Sequence, residues 1–516
     1  MKVCFTVVLS ICCILSLHAR TLQVPSQYSN IQSALNDCAK GDTVLVDPGN
    51  YYEHIIWPET GDIKLYSSGD KGNTSIDGSK TGRILTFDML KKSLIDVSTE
   101  IKGFTIIRGF ITLTENNPIG EGGAVYLNNA GPKFSNCNFT KNAIAATSKG
   151  DHPDLTGYGA AVYCSNSSPI FKNCMFKSNA LLYLDGYGIV CAINSTVSFD
   201  KCKIIDNNLN SPPNNDPSGI IYGSGSIISI DQSTVTNNSL GSSQHASHPP
   251  EGIIAVISGS INITNSLFQN NKHALEVDDS PTGNVLYINN SDACISQVTT
   301  ANNGTAVSGT YNTSLYYEHN DAHTITVQNS IFWNNHLYIS EIGGVGAGTI
   351  SVIYSDINMG YPGTGNIDEN PDFISGKSDG DKHLQDISPC AGAGTLINAP
   401  NVDLEGNTRP LPSKTAPDMG AYEVDQSINP RFEICSESIA VFPNLAYDYI
   451  IIELPLALVG SIMEFYNSLG QIIFQTPLPN SYNVFNGLQK FPDGIYILEI
   501  KQGSKLFFTK KLILER

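Results

Sequence analysis

The stretch Cys137–Asn142, CNFTKN, decides the fold because the chain keeps returning to it. It recurs as CMFKSN at 174–179, CKIIDN at 202–207, STVTNN at 233–238, SLFQNN at 266–271, QVTTAN at 297–302 and SIFWNN at 330–335. The first position holds Cys137, Cys174, Cys202, Ser233, Ser266, Gln297 and Ser330. Two residues on, Phe139, Phe176, Ile204, Val235, Phe268 and Phe332 are apolar, and Thr299 departs. Five residues on stands asparagine each time: Asn142, Asn179, Asn207, Asn238, Asn271, Asn302 and Asn335. The units lie 37, 28, 31, 33, 31 and 33 residues apart, a period that marks a solenoid. The segments are short, β-rich, bounded by Gly and Asn, and free of helical periodicity. The solenoid is therefore expected to be all-β, a parallel β-helix.

In such a helix each coil lies ~4.8 Å above the last, so equivalent side chains form columns. Cys137, Cys174 and Cys202 would stack as buried thiols, and the Phe and Ile positions as an interior apolar column. Asparagine at a turn tolerates a left-handed backbone and bonds locally. Stacked amides also bond to one another. The asparagine and cysteine columns are thus read as a structural ladder.

Twelve cysteines include Cys4, Cys12 and Cys13 near the start, which leaves nine. An odd number leaves at least one thiol free or paired between chains. Cys164 and Cys191 fall in another strand of neighbouring coils. Stacked Cβ atoms ~4.8 Å apart are wide for a disulfide, whose Cβ separation is ~3.8 Å. Free buried thiols are expected. No Cys/His spacing matches a zinc site.

The chain has 516 residues, too many for one compact core. Only 15% are charged, which suits a solenoid of turns and strands, and the formal net charge is -18. That balance argues against nucleic acid as a partner, since phosphate binding needs basic clusters. Residues 1–19 read as a secretory signal peptide: Lys2, an apolar run from Val3 to Leu17, and Ala19 at the cleavage point. The run is too short to span a membrane, and no other stretch is apolar enough. Ile11 before Cys12 argues against lipidation.

Residues 20–423 are expected to form the β-helix. At its start Ser29 would cap a short amphipathic helix carrying Ile31, Ala34, Leu35 and Cys38 on one face, ended by Gly41 and Asp42. Such a helix covers the open end of a solenoid. The run from Ile31 to Ile55 resembles the start of right-handed β-helix proteins of the pectin-lyase-like superfamily. The resemblance implies a right-handed parallel β-helix with an N-terminal capping helix and says little of activity. Insertions at 144–157, 209–218 and 240–251 each follow an asparagine position, so they should leave the scaffold in one region.

Residues 329–423 carry NSIFWNN, VIYSDI, GNIDENPDFI, HLQDISPCAGAG, DLEGNTRP and DMGAYE in order. This is similar to the end of surface β-helix proteins with a choice-of-anchor Q region. Asp368, Asp372, Asp403, Arg409, Asp418 and Glu423 are read as closing the last coils. Calcium is the cofactor these acids would suit, yet no loop has regular calcium-ligand spacing, and no cofactor or metal is expected.

Residues 424–436 read as a linker. Residues 437–516 alternate as short strands with turns at Asn467–Gly470 and Pro492–Gly494, the pattern of a small β-sandwich. Phe442–Pro443–Asn444, YNSLGQ at 466–471, FPDGIYILEI at 491–500 and the end Lys510–Leu514 resemble the type A sorting domain of type IX secretion. The resemblance implies Sec export, handling by the type IX machinery, and a secreted or outer-membrane-surface location in a Bacteroidota-like bacterium.

For chemistry, the catalytic candidates are Glu276, Asp278 and Asp279 near His273, and Glu318 and His319 with Asp321 and His323 two coils later. Paired carboxyl groups are what glycoside hydrolysis needs. Hydrolase relatives carry Asn-Thr-Asp, Gly-His-Gly and Arg-Ile-Lys, and none of these occurs here. Apart from Arg20 at its first residue, the solenoid before the terminal region holds only Arg83 and Arg108, too few for an arginine-based elimination. Tyr158, Tyr183, Tyr187 and Tyr222 are candidates for stacking sugar rings. The expectation is a monomeric, non-enzymatic rod for display, adhesion or glycan binding. The alternative is a lyase or hydrolase of acidic polysaccharide.

Overall fold

The computed structural model describes residues 19–90, 94–147, 155–210, 217–241, 252–273, 282–304, 312–335, 340–375, 380–425, 439–443, 445–454, 458–502 and 505–515. Most of the expected signal segment lies outside these. The chain divides into two compact units, Met1–Asp425 and Gln426–Arg516.

The first unit is a parallel β-helix. Three columns of strands stack in register. The first face includes Leu85–Asp88, Val125–Asn128, Val162–Ser165, Val190–Ile193, Ile221–Ser224 and Ile254–Ile257. The second runs from Thr21–Val24 through Lys133–Ser135, Ile170–Lys172 and Thr196–Asp200 to Ile227–Asp231 and beyond. The third includes Thr105–Ile107, Asn138–Thr140, Met175–Lys177, Lys203–Ile205 and Thr234–Thr236. Alternate residues of each strand point inward, as the pleat requires. Phe134, Phe171 and Phe199 stack at ring separations of 5.3 and 5.4 Å, and Phe139 lies 4.6 Å from Phe176. All five are buried in one continuous apolar core.

The helix Ile31–Asn36 buries Ile31, Ala34 and Leu35 against the first strands. Its cap is Asn30 rather than Ser29: Asn30 Oδ1 accepts the Ser33 N–H at 2.8 Å. Glu53 adds its carboxylate, accepting from the N–H groups of Ile31 and Gln32 at 2.8 and 2.9 Å. A carboxylate placed there also meets the positive end of the helix.

The asparagine column is hydrogen-bonded from coil to coil, with one correction of register. Each Oδ1 accepts the backbone N–H and the Nδ2–H of the asparagine one coil earlier. The distances are 3.1 and 3.0 Å from Asn142 to Asn179, and 3.0 and 2.9 Å from Asn179 to Asn207. The series passes through Asn238 and Asn271 to Asn303, not Asn302, and ends at Asn335. Gln297 occupies the left-handed turn, with φ 58°, so Val298 takes the inward position and Thr300 sits between Phe268 and Phe332. Thr299 faces outward, which removes its apparent departure from the pattern. Beyond Asn335 the last acceptor is a carboxyl group: Asn335 Nδ2 donates to Glu341 Oε2 at 3.0 Å.

Cys137, Cys174 and Cys202 are buried in the core, and serines continue their column. Cys202 N–H donates to Ser233 Oγ at 2.9 Å, and Ser233 N–H to Ser266 Oγ at 3.2 Å. All described cysteines are free. Cys164 stands in register with Ala192, and Cys191 with Tyr163. The two thiols therefore point to opposite sides of the sheet, Cys164 into the core and Cys191 into an outer aromatic cluster.

Residues 380–423 do more than close the last coils. They run back along the corner between second and third faces as a strap. Gln232 Nε2 donates to Asp403 O at 2.9 Å, Gln269 Nε2 to Gly380 O at 2.9 Å, and Asn329 Nδ2 to Thr395 O at 2.8 Å. Phe373, Leu384, Cys390 and Met419 pack on outward Ala301 and Ile331.

The second unit holds a three-stranded antiparallel sheet of Ala440–Phe442, Tyr449–Glu453 and Tyr482–Asn486. A five-stranded sheet is built on Ser461–Tyr466, Ile472–Leu478, Gly494–Gln502 and Lys505–Leu514, with Leu445–Ala446 at its edge. Ile450, Ile452, Met463, Phe465, Leu498 and Leu512 fill the core of this unit.

Candidate functional site

Outward positions of the first face form a row in which five of seven residues are tyrosine. Tyr126, Tyr163, Cys191, Tyr222, Ala255, Tyr287 and Tyr316 succeed one another in register. From Tyr126 to Tyr287 each stands eleven residues before the inward Cys, Ser or Val that follows the turn. That constant offset is the sequence signal for Tyr163 and Tyr287, whereas Tyr316 stands fourteen residues before Ser330 and joins the row only through its register with Tyr287. The offset also identifies Val298, and hence Asn303.

Three of the four tyrosines singled out from sequence come together here. Tyr158 stacks on Tyr187 at 4.9 Å, and Tyr187 meets Tyr222 edge-on at 5.3 Å. Tyr187 is 9% exposed and Tyr222 8%, so neither offers a face to a sugar ring. The strands Thr156–Tyr158 and Asp185–Tyr187 lie over this part of the row and turn the tyrosines into packing. Tyr183 belongs elsewhere: it adopts φ 62° and packs on the main core.

Of the catalytic candidates, Glu276, Asp278 and Asp279 fall outside the described residues. Glu318 sits at the C-terminal end of the tyrosine row. Its Oε2 accepts from Tyr287 OH at 2.9 Å and from Asn289 Nδ2 at 3.2 Å. Burial, with Glu318 nearby, pushes the Tyr316 hydroxyl up to about 12. His319 faces the other way, 3% exposed, its ring 5.1 Å from His323 and 5.3 Å from Tyr317. Burial, and then the neighbouring His323, lowers its pKa. Glu318 and His319 are therefore on opposite sides of one strand and do not act on one substrate atom. His323 instead approaches Asp292, at 3.6 Å.

The strongly shifted carboxyl groups are interior. Burial pushes Glu341 and Asp356 each up to about 7. Asp356 accepts from the Cys390 thiol at 3.1 Å and from the Glu369 N–H at 3.2 Å. In the strap, Arg409 and Glu423 lie 3.4 Å apart with both side chains fully buried. Asp418 accepts the N–H groups of Gly392 and Val424 at 2.6 and 2.7 Å, and burial raises its pKa. These groups hold chain segments together. His383 bridges two carboxylates on the strap, with Asp381 at 2.5 Å and Glu405 at 3.2 Å. Among the described residues no group of three or more His, Cys, Asp or Glu is arranged to hold a metal ion. No helix among them is long and apolar enough to cross a membrane.

The described ends of the insertions leave from one column of short strands: Ala143–Ala146, Asn208–Leu209 and Ser239–Leu240.

Comparison with known proteins gives two family matches. The family described as right handed beta helix region matches residues 67–240. The family described as secretion system C-terminal sorting domain matches residues 440–515. No curated protein matches the chain. Among solved structures, the crystal structure of endo-xylogalacturonan hydrolase from Aspergillus tubingensis aligns at 13% identity and a TM-score of 0.21. That alignment covers 64% of this chain and 93% of that one.

Proposed function

We propose that this chain, a right-handed β-helix carrying a secretion-system C-terminal sorting domain, serves as a non-catalytic extracellular rod that binds glycans along its sides. The sorting domain indicates type IX secretion to the cell surface or extracellular space.

One observation supports the absence of catalysis. The outward row that contains Glu318 reads Asp88, Asn128, Ser165, Ile193, Ser224, Ile257, Asn289, Glu318 and Val345. Glu318 has no carboxylate in register on either side. An acid and base, or acid and nucleophile, need two carboxyl groups about 5 to 9.5 Å apart. On the second face Asp200 and Asp231 are neighbours in register. Asp200 is paired with Lys172 at 2.8 Å, and Asp231 accepts from Thr264 Oγ1 at 2.6 Å. Both are occupied as sheet cross-links.

The test is incubation of the purified secreted protein with alginate, polygalacturonate and xylan, read by reducing ends and by absorbance of unsaturated products. Intact polymers, with retention of at least one on an affinity column, are expected. Product whose yield falls with Glu318→Gln or Asp279→Asn would overturn the proposal in favour of a lyase or hydrolase.

A further inference from the structure

We infer that the bare part of the corner between second and third faces binds a linear acidic polysaccharide. This rests on the reading of the protein as a glycan-binding rod and gives that binding a place.

From the coil of Asn136 to that of Asn329, the chain passes from the second face to the third through one left-handed residue per coil. In succession these are Asn136, Asn173, Lys201, Gln232, Asn265, Gln297 and Asn329, with φ between 44° and 58°. The strap occupies the C-terminal part of this corner. It is held by the side chains of Gln232 and Asn329 and by Gln297, which accepts from Arg409. The corner thus already holds one extended chain through amide side chains. The strap reaches Gln232, and the preceding turn residues Asn173 and Lys201 are exposed.

That uncovered stretch is basic in a chain of net charge -18. Lys102 and Lys172 end second-face strands, two coils apart in one column with Ser135 between them. Lys201 is the next turn residue, and Lys203 opens the third-face strand beyond it. Lys177 stands one coil back on the third face, and Lys71 reaches Asn173 O at 3.4 Å. Asp200 and Asp206 pair with Lys172 and Lys177 at 2.8 and 3.6 Å. Among the described residues Lys71, Lys102, Lys201 and Lys203 have no ion pair, so their charge is available to a ligand.

The ligand class follows from what else is present. An acidic peptide held by strand addition needs a free sheet edge. Here each strand is paired on both sides, as Lys133–Ser135 is with Glu100–Lys102 and Ile170–Lys172. Between the lysines lie the turn amides of Asn136 and Asn173, which suit hydroxyl groups, while Ser135 is buried and donates to Glu100. The coils repeat every ~4.8 Å, the scale of one pyranose ring. A polymer lying along the corner would meet an amide or ammonium group at each coil.

The experiment uses the full secreted chain on sensors bearing alginate, neutral dextran or polyglutamate. Three proteins are compared: wild type, Lys102→Gln/Lys201→Gln/Lys203→Gln, and Lys40→Gln/Lys272→Gln/Lys414→Gln. The last loses the same charge from exposed positions elsewhere. Wild type should bind alginate, less so as salt rises, and leave dextran untouched. Three exposed ion pairs lost should weaken binding roughly tenfold in the corner variant. The control variant should bind like wild type. Equal loss in both variants, no binding of alginate, or polyglutamate bound as tightly as alginate would overturn the inference. Alginate recovered at full length after binding separates this outcome from the catalytic question. Shortened alginate refutes the non-catalytic reading, whereas intact and unbound alginate refutes only the corner.

Discussion

Removing the Asn303 side chain should open the solenoid locally, and removing that of Asn302 should not. Asn303 Oδ1 is the acceptor for the Asn271 N–H at 3.0 Å and the Asn271 Nδ2 at 2.8 Å. Its own Nδ2 donates to Phe268 O at 2.9 Å and to Asn335 Oδ1 at 2.9 Å. In Asn303→Ala, Asn271 Nδ2 keeps Val235 O, and Asn335 Oδ1 keeps the backbone N–H of residue 303. Two buried groups lose a partner: the Asn271 N–H and the Phe268 carbonyl. At about 1–3 kcal/mol for each, the cost is about 4 kcal/mol. Asn302 instead sits at φ 57°, where its Oδ1 accepts from Asn334 Nδ2 at 2.6 Å. Glycine suits that backbone, so Asn302→Gly should cost about 1 kcal/mol. A solenoid opens in parts, so hydrogen exchange resolved by peptide is a better measure than one melting curve. Exchange at the Asn271 amide should accelerate about a thousandfold in Asn303→Ala and about fivefold or less in Asn302→Gly. Equal acceleration, or a larger effect at Asn302, would refute the register assigned to this coil.

Three further outcomes are expected. Glu341 has a folded pKa of about 7, above its ordinary range, so its burial weakens the protein as pH rises from about 4.5 through 7. Glu341→Gln should remove up to roughly 3 kcal/mol of that pH dependence, seen as melting temperatures that converge with wild type at low pH and exceed it above neutrality. The two carboxylates around His383 outweigh its burial and raise its pKa, so the stability it adds is complete below about 6.5 and lost as pH rises through the folded value. NMR titration of His383 should therefore place its midpoint above that of a free histidine, and Glu405→Gln should bring it down. Arg409→Leu leaves Glu423 buried without its cation, at a cost of about 3–5 kcal/mol, and limited proteolysis should then cut between residues 380 and 425 while the coils before 232 stay protected.

The coils were legible because their signals are local and repeated. A period near thirty residues, with an inward small residue and an asparagine five positions on, is set by stacking itself. Register failed at one coil, where Val298 and Thr300 replace the usual Ser and Phe and the doublet Asn302–Asn303 offers two choices. Only the row eleven residues earlier resolves it. Cys164 and Cys191 seemed neighbours because strand parity cannot be judged from one residue. The strap was legible as a string of motifs but not in its place. Its contacts join residues such as Gln232 and Asp403, far apart in sequence and unmarked by any period. The tyrosines were misjudged for a similar reason: Tyr158 and Tyr187 lie on short strands between insertions, outside the repeated motif, and pack over Tyr163 and Tyr222.

The asparagine ladder also has a direction, and with it a built-in measure of length. Gly109 N–H gives to Asn142, each asparagine gives to the next, and Asn335 gives to Glu341. An amide both takes and gives, so a whole coil copied into the middle extends the series without changing either end. Once deprotonated, Glu341 takes only, so an asparagine placed beyond it in the column would meet no donor. The ladder therefore tolerates a change in the number of interior coils, while Gly109 and Glu341 mark its two ends.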